Sequence, residues 1–359
     1  MIYLIGGARP NFMKIAALSR AFDKYEIVFD IIHTGQHYDY NMDKIFFEEF
    51  GLKDPLVHLE VGSGPHGEQT AKIMERFERL CLDVRPSMIF TVGDVNSTMA
   101  AALVAAKMHI PLAHQEAGMR SGDKKMPEEI NRIVTDHISD LLFPISPQDR
   151  LNLYNEGIDR DKIHLVGDPM IDNLLYYTKE TTKESDNEKH FLVEIHRPAN
   201  TDDKYKLEEI LKSLKTLTMY RRVVFPIHPR TRKMIDEFDL WHYLDDVDFL
   251  EPMGYFDFIK YMKHSAAVIT DSDGVQQETS VLNVPCVSIR DTTNIEYTVK
   301  YGTNVLVDAD EIKIFSAAIY PIYNEPFKSN FPEQLKQLND GNASERIAEV
   351  IKPKGVRTN

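Results

Sequence analysis

Short apolar runs alternate with helical patterns along nearly the whole of this 359-residue chain. YLIGG, EIVFDIIHTG, MIFTVGD, IPLAHQEAG and DLLFPIS read as strands in the first half. HFLVEIH, RVVFPIHP, VDFLEPM, AAVITDS, VPCVSIR and TNVLVD read so in the second. Between them, residues 98–108, 127–138, 205–217, 255–264 and 274–282 carry helical spacing. Such alternation folds as an α/β structure with doubly wound parallel sheets, because parallel strands need crossover helices to join them. Ligands of these sheets sit beyond the carboxyl ends of the strands.

The chain is long for one core and comfortable for two. Its most linker-like stretch is the charged TKETTKESDNEK, residues 178–189, which follows a helical pattern from Pro169. A boundary near Gly167 gives an N-terminal domain, 1–167, and a C-terminal domain, 168–343, each with its own sheet. Residues 344–359 make a last helix, Ser344 to Ile351, and a polar tail; that helix could pack on either half.

Composition removes several functions. A formal charge of −14 argues against broad nucleic-acid binding, which needs a basic stripe to displace counterions. A small anionic ligand stays open, since a few local donors can outweigh a distant field. No apolar run approaches the roughly 18 residues that a membrane helix needs. MIYLIGG lacks a basic region and a cleavage site, so it reads as a buried strand rather than a signal peptide. Cys81 and Cys286 sit far apart in apolar surroundings and fit reduced thiols in the cytoplasm. The thirteen histidines show no metal-ligand spacing, so no protein-bound metal is expected.

Two turns invite an anion. IGGARPNFMKIAAL, residues 5–18, runs from a strand through a double glycine into a helix, and Arg9 and Lys14 add positive charge. The plainer account is an ordinary strand-to-helix turn with a surface ion pair. VITDSDGVQQET, residues 268–279, repeats the arrangement. Ser272 and Gly274 would offer a hydroxyl and amides, with Glu278 one turn in, placed to bond ribose hydroxyls. Asp273 favours the alternative, a capped helix, because a carboxylate opposes a diphosphate.

Acidic residues crowd AHQEAGMRSGDKKMPEEINR, residues 113–132. Glu116 follows a strand end with no capping task in view. Asp94 also ends a strand, though an aspartate before a helix is a common cap. Glu128 and Glu129 open a helix, where negative charge is favoured, and Glu128 with Arg132 makes an i,i+4 pair. His196 and His228 lie just past strand ends, beside Arg197 and Arg230.

GGARPNFMK, HTGQHYD, VGDVNST, AHQEAGMRSGD, MPEEINR, GDPMID, HRP, FPIHPR, EPMGYFDF, DSDGVQQE and GTNVLV occur in this order. As a set they resemble the non-hydrolysing UDP-N-acetylglucosamine 2-epimerases, from the first strand to about Asp308. The resemblance implies two Rossmann-like doubly wound domains of the GT-B type facing across a cleft, with a nucleotide sugar between them. It also implies a C-terminal helix crossing back to the first domain. Arg9, Lys14, His196, Ser272 and Gly274, with Asp273 between the last two, would face the diphosphate. Glu278 would hold the ribose and Phe258 would lie by the uracil. Asp94, Glu116 and Glu128 would be the acid–base carboxylates, with His196 assisting departure of UDP.

Inverting C2 without a redox cofactor requires loss of the C2 proton and departure of UDP, then return of both. One carboxylate cannot easily serve both faces of the sugar, which accounts for the crowded acids. The family implies no cofactor, a homodimer, and a regulatory substrate site for which Gln36 and His37 are candidates. Surface polysaccharide is the implied destination of the product.

Four positions depart from the family pattern. Asp273 replaces a glycine, Met253 stands for a glutamine, Ile295 for a nucleotide-binding arginine, and HRPAN for HRRE. They leave open a modified substrate, a diacetamido-uronic acid or 6-deoxy sugar nucleotide. A glycosyltransferase or hydrolysing epimerase of the same fold, and a non-catalytic sensor, are the remaining alternatives.

Overall fold

The computed structural model describes residues 1–35, 47–180, 189–293, 295–325 and 327–352. The chain forms two compact units. One runs from Met1 to Leu175 and takes in the residues from Leu335 onward; the other spans Tyr176–Gln334.

The first unit holds a six-stranded sheet ordered β3-β2-β1-β4-β5-β6. Its strands are β1 (Ile2–Gly6), β2 (Phe29–His33), β3 (Val57–His58), β4 (Met88–Val92), β5 (Leu112–Gln115) and β6 (Leu141–Phe143). The second unit repeats the plan with β7 (His190–Glu194), β8 (Val223–Pro226), β9 (Asp248–Leu250), β10 (Ser265–Thr270), β11 (Cys286–Ile289) and β12 (Asn304–Val307). Read from its other edge, this sheet is β9-β8-β7-β10-β11-β12, the same order shifted by six strands. All pairings are parallel.

Every apolar run expected to be a strand is one. The added strand, β3, has two residues at the edge of the first sheet, too short to leave a periodic signature. Burial on both faces explains the continuous apolar runs: all five residues of β1 and all six of β10 are buried. In each sheet the winding direction reverses beside the first strand, between β1 and β4 and between β7 and β10. Such switch points open a crevice at the carboxyl ends of the strands. The glycine turn after Gly6, Asp94, His196 and Ser272 all follow strands at these points.

The units divide after Leu175 and before Leu335, not at Gly167 and Ala343. Helix Pro169–Glu180 begins in the first unit because its early side chains are tied there. Asp172 accepts the amides of Ala343 and Ser344, at 3.0 and 2.6 Å, and Asn173 bonds Arg20 and the Met13 carbonyl. Helix Ala343–Ile351 packs on helix Arg9–Lys24, with Lys24 to Glu345 at 2.6 Å and Tyr25 to Glu349 at 3.0 Å. It therefore belongs to the N-terminal unit. Among the described residues, no helix is long and apolar enough to cross a membrane.

Candidate active site

In the first unit, the carboxyl ends of β1, β4 and β5 bring a lysine and several carboxylates together. Lys14 Nζ, on the second turn of helix Arg9–Lys24, lies 2.6 Å from Glu116 Oε2, and both side chains are almost excluded from water. Glu116 directly follows β5 and sits at φ 73°, in the left-handed region. A non-glycine residue held there costs about 1–3 kcal/mol and persists only where its surroundings over-determine it. Two residues on, Gly118 at φ 82° makes the close turn possible: a Cβ there would stand 2.2 Å from the Asp149 carbonyl oxygen.

Asp94 pairs with Arg132, and its backbone carbonyl accepts from Asn131 at 2.8 Å. Burial raises the Asp94 carboxyl above its ordinary range, against the pull of Arg132. Glu128, half-buried at the first turn of helix Pro127–Ile138, is close enough to push it the same way. Arg132 thus serves Asp94, with Glu129 at 3.8 Å, rather than the expected i,i+4 partner Glu128.

Asp168 joins this group. It is 4% exposed and its carboxylate accepts the Met170 amide at 2.9 Å. Burial and the neighbouring Glu116 push its pKa up to about 7, while Lys14 opposes them. Burial works against the Lys14 ammonium, yet Glu116 and Asp168 hold its pKa above the ordinary lysine value. The sequence analysis touched Asp168 only as part of the motif GDPMID.

The other acids of the crowded segment build the loop. Glu129 accepts the amides of Ser121 and Gly122, at 2.8 and 3.0 Å. Asp123 accepts from Lys125 at 2.9 Å. Just beyond the segment, Asp136 gathers His114 at 2.7 Å, Arg120 at 2.8 Å and the Gly118 amide at 3.0 Å. Burial pushes the Asp136 carboxyl up, but these donors hold it below its usual range.

The first glycine turn differs from its expected role. Asn11 Oδ1 accepts the amides of Gly7 and Ala8, at 3.1 and 3.0 Å, so both donors offered to an anion are already satisfied. The second glycine answers to packing, since a Cβ on Gly7 would lie 2.2 Å from Ser97 Oγ. Arg9 is exposed and makes no ion pair among the described residues.

In the second unit, β7 and β10 end side by side. Glu194 Oε1 lies 2.6 Å from His196 Nδ1. Asp271 accepts the amides of His196 and Arg197, at 3.1 and 3.0 Å, and Asn200 Nδ2 at 3.0 Å. Ser272 opens helix Asp273–Leu282 without its side chain capping the helix. Asp273 is held between two guanidiniums, Arg197 at 2.7 Å and Arg290. The repulsion that its charge would direct at an anion is therefore offset locally. Gly274 is exposed beside it.

Further along this unit, Tyr255 donates to Glu278 Oε1 at 2.7 Å. Phe258, on the same helix as Tyr255, is partly buried against the apolar cluster that includes Met262 and Val275. Ile295 is buried, 5% exposed. Gln36 and His37 lie outside the described residues.

The sequence profile of the family described as UDP-N-acetylglucosamine 2-epimerase matches residues 20–352. The chain belongs to this epimerase family. It is accordingly an isomerase with the α/β, GT-B-type two-domain fold. The UDP-N-acetylglucosamine 2-epimerase of Methanocaldococcus jannaschii is 39% identical over 97% of this chain and 98% of the relative. Its crystal structure, in complex with UDP-GlcNAc and UDP, matches with a TM-score of 0.84. The UDP-GlcNAc 2-epimerase of Neisseria meningitidis bound to UDP-GlcNAc also matches at 0.84, with 27% identity over 97% of this chain and 98% of that one. A Pseudomonas aeruginosa epimerase of this family, UDP-2,3-diacetamido-2,3-dideoxy-D-glucuronate 2-epimerase, is 39% identical over 98% of this chain and 99% of the relative.

Proposed function

We propose that this family member inverts C2 of a UDP-2-acetamido sugar without hydrolysing it, interconverting UDP-N-acetylglucosamine and UDP-N-acetylmannosamine. The observation that carries the reading is the water-poor group of Lys14, Glu116, Asp94, Arg132 and Asp168 at the strand ends of the first sheet.

A carboxylate removes the C2 proton, and the C–H electron pair becomes the C1=C2 double bond of a 2-acetamidoglucal. The C1–O bond breaks with its electrons on the β-phosphate oxygen of UDP. In the return step that oxygen adds to C1, and a proton reaches the opposite face of C2. Two acid–base groups are needed, and burial supplies them in different states. Glu116 is paired with a lysine, whereas burial raises the Asp94 carboxyl and pushes Asp168 up to about 7, so that Asp168 keeps a proton within reach near neutral pH. Glu128 completes the set.

In the second unit, Ser272, Gly274 and His196 face the diphosphate, Glu278 the ribose and Phe258 the uracil; Arg9 is a further cation assigned to substrate binding. Preorganised donors aimed at a departing diphosphate stabilise the charge that develops on it. The reading extends to a cytoplasmic homodimer supplying surface polysaccharide synthesis, with Gln36 and His37 in a regulatory site.

The test is incubation with UDP-N-acetylglucosamine in deuterated water. Deuterium at C2 together with the second epimer supports the reading; absence of both sinks it. Free UDP released in proportion to turnover points instead to hydrolysis or glycosyl transfer, and binding without exchange points to a sensor. A second substrate, a UDP-diacetamido-uronic acid, is favoured by the Pseudomonas relative at equal identity. Parallel assays on both sugars separate the two.

A further inference from the structure

The register that aligns Glu194 with Thr270 places two carboxylates beside one imidazole. Asp271 is occupied with the backbone, pinning the loop that carries His196 and Arg197. Glu194 Oε1 stands 2.6 Å from Nδ1 as an ion-pair contact without hydrogen-bond alignment, and its second oxygen accepts the Thr270 hydroxyl at 2.7 Å. A negative charge thus lies at the Nδ1 edge of the ring, leaving Nε2 on the opposite edge.

A second imidazole stands close by, with ring centroids 5.6 Å apart, yet it is wired differently. His228 Nδ1 accepts the Arg230 amide at 3.1 Å, so that nitrogen carries no proton. Burial lowers the His228 pKa, and the nearby His196 lowers it further. Around His196, the Glu194 contact raises the pKa against the effect of burial, Asp271 assists, and Arg197 opposes. Of two adjacent histidines, the surroundings favour the charged form of one and the neutral form of the other.

We infer that Glu194 is a positioning residue that holds His196 as an imidazolium, with Nε2–H presented as a cationic donor to the diphosphate. This rests on the proposed epimerase reading for the ligand but on side-chain geometry for the pairing. No proton is transferred: His196 donates a charge-assisted hydrogen bond as electrons shift from C1–O onto UDP, and such bonds are about twice as strong as neutral ones. The ligating atoms of Glu194, His196 and Asp271 lie within 4.8 Å of one another, a spacing that a cation could also use. The donors already on Asp271 and the His196–Glu194 pair fill it.

The experiment compares wild type with Glu194→Gln and Glu194→Asp. The His196 ring is titrated by NMR, and the pH profile of C2 exchange is recorded alongside. Glu194→Gln should lower the His196 pKa by about one unit and move the basic limb of the profile to lower pH by the same amount. Above both pKa values that is roughly a tenfold loss, with activity near wild type in acid. Glu194→Asp should recover part of the shift. An unchanged His196 titration in a folded Glu194→Gln variant overturns the inference, whatever the enzyme's turnover. So does wild-type exchange that is lost on dialysis against EDTA and restored by Mg²⁺ or Mn²⁺. Wild-type exchange on UDP-sugars tests the epimerase reading separately: its absence removes that reading while the titration still reports on the pair.

Discussion

Lys14 Nζ stands 2.6 Å from Glu116 Oε2, with side-chain exposures of 9% and 13%. A pair so shielded is asymmetric in its consequences, because removing one partner strands a charge away from water. Lys14→Met should destabilise the protein by about 3–5 kcal/mol, read by urea denaturation. Glu116→Gln should lower kcat on the order of 10²–10⁴-fold, with a smaller stability loss because Asp168 and Asp94 still attract the Lys14 ammonium. The double variant should recover stability but not turnover. Single-variant losses that simply add in the double variant would contradict the pairing.

Asp168 makes stability depend on pH. Its carboxyl titrates at about 7 in the fold against an ordinary 3.8. A raised acid costs stability wherever the unfolded chain has already lost its proton. The penalty therefore begins near the ordinary value, grows up to the folded one and is constant above it. Asp168→Asn removes this share. Its stability relative to wild type should climb between about pH 4 and pH 7 and then level off. A difference that stays flat across that range would show that Asp168 is not the group responsible.

Asp273 predicts a change in affinity. Its carboxylate occupies both Arg197 and Arg290 beside Ser272. If the diphosphate binds there, Asp273→Asn releases two guanidiniums, and UDP should bind about fivefold tighter at low salt, a gain near 1 kcal/mol. The gain should shrink at high salt as screening sets in. Calorimetry showing weaker UDP binding in the variant would mean that Asp273 organises the two arginines rather than competing for them.

Much of this was legible in the residues. Eleven strands were readable because burial on both faces leaves unbroken apolar runs, and Asp94 and Glu116 stood out by following them. Local rules failed where a partner came from elsewhere in the chain. Arg132 turned from Glu128 to Asp94, 38 residues away. Asp273 seemed repulsive because neither Arg197 nor Arg290 is its neighbour in sequence. Glu194 hid inside HFLVEIH, where one acid in an apolar run reads as a strand end. The turn that invites an anion has its Gly7 and Ala8 amides taken by Asn11, a residue whose side chain reaches back one turn.

The docking of helix Ala343–Ile351 on helix Arg9–Lys24 has a consequence for biogenesis. The second unit is one uninterrupted stretch, Tyr176–Gln334, and can be complete as soon as that stretch leaves the ribosome. The first unit, although synthesised earlier, still lacks the helix that covers its opening one. The body that begins first is closed only after the second has been made, and the flank of its opening helix stays uncovered until residues 343–351 are synthesised.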